Sequence, residues 1–74
     1  MTPQQTKELA ARLKELRLKK GLSAAQVAEK MGAGYQAPRV YNIESGKKPV
    51  GFKMAESYAN ACGYEMKIEF VEKT

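Results

Sequence analysis

Glycines at positions 21, 32, 46 and 63 cut a chain of 74 residues into short segments. Glycine readily takes the left-handed conformation that ends a helix, so no long continuous element can run through these positions. The first segment opens with Thr2 and Gln5 in capping-box spacing and with Pro3 at the first helical position. Leu9, Leu13 and Leu16 then form one apolar face, and Lys19 and Lys20 supply a cationic last turn before Gly21. This predicts a first helix from about Pro3 to Lys20. Ser23 and Gln26 repeat the capping pattern ahead of Val27, Ala28 and Met31, which predicts a second helix ending at Gly32. A helix of about nine residues is too short to stand alone, and Ala24, Ala25 and Ala28 are small enough to let it pack closely on its neighbours.

The stretch from Ala33 to Ala37 has no periodicity and reads as a turn. Because a residue before proline avoids the α region, Ala37 is expected as a cap and Pro38 as the first residue of a third helix, Pro38 to Ser45. Val40 and Ile43 would face inward there, with Gly46 as the stop. After a basic loop of Lys47, Lys48 and Pro49, Gly51 caps a fourth helix whose expected inward face is Phe52, Ala55, Tyr58, Ala59 and Cys62. From Tyr64 the period changes to two. Tyr64, Met66, Ile68 and Phe70 alternate with Glu65, Lys67 and Glu69, which is a strand pattern. No second strand candidate exists in the sequence to satisfy its backbone, so the strand is expected to pair with its copy across a two-fold axis. The chain is thus expected to be mainly α: four helices in residues 1–63 and a dimerisation strand in residues 64–74 of the same domain.

Composition narrows the functions. A domain this small is marginally stable without a disulfide, a metal or self-association. Cys62 is the only cysteine and there is no histidine, so no internal disulfide, no zinc site of the usual kind and no cofactor is expected. The same absence removes the common general base, and no nucleophile with a base or phosphate-cradling glycine loop is readable, so an enzyme is not expected. Cys62, on an apolar helical face, reads as core. No apolar run is long enough to span a bilayer and no secretory h-region is present, which leads to the expectation of a cytoplasmic protein with no membrane partner. The net charge is +5. Residues 1–21 carry six cations against two anions, and Lys47, Lys48 and Lys53 form a second basic stretch, a balance that suits a polyanionic partner.

Two short helices joined by a glycine-containing turn and preceded by a basic helix have the layout of a helix-turn-helix DNA reader. The runs LKELRLKKGLSAAQVAEKMG, RVYNIESGKKP and AESYANACGY resemble the Cro/cI-type (XRE-like) helix-turn-helix family of bacterial and phage regulators over about residues 9–63. The resemblance implies an ion pair between Arg17 and Glu44 that ties the first helix to the third. It also implies that the third helix enters the major groove with Arg39 and Asn42 at base edges, flanked by Gln36 and Tyr41. Arginine can donate two hydrogen bonds to guanine and asparagine can bond adenine bidentately, so both side chains have suitable chemistry. Phosphate contacts are expected from Lys47 and Lys48, from Ser23 at the start of the second helix, and from Lys19 and Tyr35, with Arg12 as a further candidate. Tyr35 has a second reading, as a cover over the junction between the second and third helices. Two departures from the family pattern stand out: the turn between those helices is about two residues longer than usual, and Ala24 stands where many members carry a DNA-contacting glutamine.

The function expected from the sequence is therefore a double-stranded-DNA-binding transcriptional regulator, a repressor acting as a homodimer on a palindromic operator. The alternative is an antitoxin that binds a toxin protein and represses its own operon. Residues 1–8 or 64–74 would then be the toxin-binding segment.

Overall fold

The computed structural model describes residues 2–32 and 34–73. Four helices lie within them: α1 (Pro3–Lys19), α2 (Ala24–Met31), α3 (Ala37–Glu44) and α4 (Phe52–Ala61). α1 begins in a capping box, in which the Thr2 hydroxyl accepts from the Gln5 backbone N–H at 3.1 Å and the Gln5 side chain accepts from the Thr2 N–H at 2.8 Å. α2 begins in the same way, with Ser23 and Gln26 bonded at 3.1 and 2.8 Å. Each box satisfies backbone donors that a helix start leaves open. α1 and α4 both end in a left-handed closure, the Leu22 N–H returning to the Arg17 carbonyl at 3.1 Å and the Tyr64 N–H to that of Ala59 at 2.9 Å.

α2 lies against α3 and α4, and α1 also packs against both of them. Small residues allow this approach: Ala24, Ala28 and Ala55 are buried in the core with Leu13, Val27, Val40, Ile43, Tyr58 and Cys62. Leu9, Leu16, Leu22, Met31 and Met54 close the rim. Ala24 is only 2% exposed, in keeping with the close packing expected of so small a residue, so the position matched to the family's glutamine is core in this chain. As the first residue of α2 it faces the neighbouring helices, and the outer surface begins at Ala25.

Two expectations are corrected. α3 starts one residue earlier, with Gln36 as cap, Ala37 as first residue and Pro38 second, and it ends at Glu44 with Ser45 as the cap. Proline is tolerated there because N–H groups of a first turn have no intrahelical acceptor to lose. Phe52 is 49% exposed rather than inward. Side chains tilt toward a helix N-terminus, so the first residue of α4 projects past the neighbours that cover Ala55 and Tyr58. The strand expected from Tyr64 depends on a second copy, and in this single chain no strand is present among the described residues. Residues 64–73 carry no regular structure, since a single chain offers their backbone no ladder. Tyr64 and Met66 are half-buried against the core, whereas Ile68, Phe70 and Val71 are exposed. Among the described residues no helix is long and apolar enough to cross a membrane, and no group of side chains is arranged to hold a metal ion.

Candidate nucleic-acid interface

Burial of Val40 and Ile43 sets the orientation of α3. With about 100° of rotation per residue, the opposite face carries Pro38 at its centre with Tyr41 and Asn42 to either side, and Arg39 lies at its edge. All four are exposed. Beyond α3 the chain turns through Ser45, whose hydroxyl donates to the Asn42 carbonyl at 2.7 Å and accepts from the Lys47 N–H at 3.3 Å. That turn holds Lys47 and Lys48 beside the helix, and together with Arg39 and Asn42 they line an open groove of about 540 Å³. Three cations on one groove, with no carboxylate among its lining residues, make it attractive to a polyanion.

The inner side of α3 is anchored by charge. Glu44 accepts from Arg17 Nε at 2.8 Å and Nη2 at 3.1 Å, a bidentate pair in which the Arg17 side chain is 10% exposed and that of Glu44 4%. Arg17 Nη1 donates to the Leu22 carbonyl at 3.1 Å, and the Tyr58 hydroxyl donates to Glu44. One carboxylate thereby joins α1, α3 and α4, with the α1–α2 connection attached through Leu22. The Glu44 hydrogen bond raises the Arg17 pKa above its ordinary value. Burial, followed by the bond to Glu44, pushes the Tyr58 hydroxyl well above the ordinary tyrosine value. Burial also raises the Cys62 thiol, a direction that suits core and opposes reactivity. The sequence reading placed Tyr58 inward without giving it a partner. The signal that could have found one is general: a buried tyrosine hydroxyl requires an acceptor.

A family model described as a helix-turn-helix domain matches residues 8–65. The chain belongs to that family. The family is one of XRE-like regulators, and the helix-turn-helix assignment makes the chain a DNA-binding regulator of a typically non-enzymatic kind. No curated protein and no solved structure matches it.

Within the helix-turn-helix domain, α2 and α3 are the two helices of the motif. The remaining site residues named from sequence are distributed around them. Gln36 is exposed at the cap of α3 and makes no side-chain capping bond. Ser23 is exposed, with its oxygen engaged in the α2 capping box. Lys19 lies on α1 in an exposed pair with Glu15 at 3.0 Å, and that bond raises its pKa. Tyr35 is half-buried against the core, its hydroxyl donating to the Met54 sulfur at 3.5 Å and its ring 5.7 Å from the Arg39 guanidinium. Met54, which also borders the basic groove, was not among the residues singled out from sequence. Nothing in its own neighbourhood of the chain marks it. Tyr64 sits under the Lys20 ammonium at 5.0 Å, at the root of the C-terminal segment.

Proposed function

We propose that this helix-turn-helix protein is a sequence-specific repressor that binds double-stranded DNA as a homodimer on a palindromic operator. The observation that carries the reading is the outward face of α3, where Arg39 and Asn42 open onto the groove shared with Lys47 and Lys48. Arg39 and Asn42 read base edges, with Gln36 and Tyr41 at the margins. Lys47, Lys48 and the start of α2 at Ser23 hold phosphates and set the register, while Lys19 lies farther out on α1. The Arg17–Glu44 pair fixes the angle at which α3 is presented. In this reading the protein works in the cytoplasm, where its DNA target lies.

Residues 1–63 form the DNA-binding unit in this reading, and 64–74 form the dimerisation strand. Ile68, Phe70 and Val71 expose apolar surface that one chain leaves uncovered. Antiparallel pairing with a second copy gives the segment its missing ladder and covers those side chains. The two reading helices would then address half-sites about 34–36 Å apart. Selection of bound duplexes from a random pool tests the proposal directly: the enriched sequences should be palindromic with that spacing. Enrichment of a single half-site refutes the dimer, and no enrichment at physiological salt by folded protein refutes the function. The same exposed segment could alternatively seat a toxin, in which case the free protein would sediment as a monomer and become a complex only with that partner.

A further inference from the structure

We propose that Tyr35 is a positioning residue for Arg39 and so helps determine which base is preferred. The inference rests on the reading above that Arg39 contacts a base. The connection between α2 and α3 leaves α2 through Gly32 at φ 115° and continues through Gly34 at φ 88°. Side-chain-bearing residues rarely adopt such values, so this path is available because glycine stands at both positions. It delivers Tyr35 back over the helix junction, where its N–H donates to the Gly32 carbonyl at 3.3 Å. The ring packs against the core, and its hydroxyl reaches across to the Met54 sulfur on α4 at 3.5 Å. Both ends of the side chain are thereby held.

Arg39 comes to this fixed ring. Its guanidinium carbon lies 5.7 Å from the ring centroid, within the range of a cation–π contact. The Arg39 backbone is set by the first turn of α3, its N–H donating to the Gln36 carbonyl at 2.9 Å. Among the described residues no carboxylate pairs with Arg39, and the contact found for its guanidinium is the uncharged Tyr35 ring. Contact with a ring engages a guanidinium through its face and leaves the in-plane N–H groups free. Those are the groups that donate bidentately to guanine. An arginine already held has less side-chain freedom to lose on binding than one in solvent. The longer turn therefore has a use: it builds a buttress for the reading arginine.

The test compares sequences selected from a random duplex pool by the native protein and by R39A, Y35F, Y35L and R39A/Y35L. R39A should flatten preference at one base position. Y35L should weaken preference at that same position by about two- to fivefold and leave the others unchanged. Y35F keeps the ring and its packing and loses only the weak bond to the Met54 sulfur, so it should stay closer to native than Y35L, and the double variant should be no worse at that position than R39A. If Y35L lowers binding to all sequences alike, shifts a different position, or leaves the R39A-sensitive position intact, the positioning role is overturned while base reading by Arg39 stands. A native protein without preference, or R39A with unchanged preference, overturns both. A second measurement does not depend on the leucine variant folding. In the free native protein the Arg39 side-chain protons should resonate upfield of those of Arg12, shifted by the ring current, and their coincidence would overturn the stack.

Discussion

Replacing Glu44 by glutamine keeps the shape of the side chain and an acceptor for Tyr58, but it removes the charge that balances Arg17. The Arg17 side chain is 10% exposed and would retain its bond to the Leu22 carbonyl. Breaking a buried ion pair from one side costs about 3–5 kcal/mol, because an uncompensated charge stays behind. The surviving carbonyl bond and the residual access to water place the expectation at the lower end, about 3 kcal/mol. A chain of 74 residues has roughly 4–11 kcal/mol of stability in total. E44Q should therefore lose a quarter to three quarters of it, with a fall of about 12 °C or more in the thermal midpoint. Urea titration followed by circular dichroism, with native and variant protein at matched concentration, measures the difference. A loss below about 0.5 kcal/mol would refute the claim that the carboxylate holds the three helices together. A triple variant, R17M/E44L/Y58F, removes the three side-chain groups that bond one another, leaves only the Leu22 carbonyl without its donor, and should be less destabilised than E44Q.

Further outcomes follow from the same structure. Tyr58 titrates higher in the folded chain than its ordinary value of 10.0, so its contribution is intact below that pH. Above about pH 10 the unfolded chain releases the proton first, and stability should fall with rising pH by up to about 1.4 kcal/mol per unit from this group. Y58F should lose that part of the alkaline slope and, at neutral pH, about 1.5–3 kcal/mol for the missing bond to a carboxylate. Lys48→Ala should weaken binding to all duplexes alike and flatten the slope of log affinity against log salt by about one. An effect confined to one base position would contradict its phosphate role. Phe70→Glu places a charge on the exposed apolar segment and should convert a sedimenting dimer into a monomer without lowering helix content. An unchanged dimer would move the interface elsewhere.

The helices were legible because their signals are local. Both capping boxes are spelled within four residues, and the stripes of Leu13, Val27, Ala28, Val40, Ile43 and Ala55 follow from the helical period. Errors arose where tertiary contact overrides local preference. Ala37, half-buried at the junction, is drawn into α3 despite preceding a proline. Phe52 continues the apolar stripe of α4, but the bundle does not extend that far. The alternation after Tyr64 is a pattern that forms a strand only beside another strand, and a single chain supplies none. At the candidate site, Arg17 and Glu44 lie 27 positions apart. No local rule links them, and only the family resemblance implied the pair. The Tyr58 bond to the same carboxylate and the path that carries Tyr35 to Arg39 depend on packing, and periodicity cannot report them.

α3 divides its labour cleanly between its sides. Val40, Ile43 and Glu44 hold it in the body of the protein, while Arg39, Tyr41 and Asn42 touch little that keeps the chain folded. Exchanges at exposed positions of this kind usually alter stability by less than about 0.5 kcal/mol. On the proposed reading of bases by these side chains, a lineage of such proteins would drift from one target sequence to another by single steps, without first accumulating compensating changes in its interior.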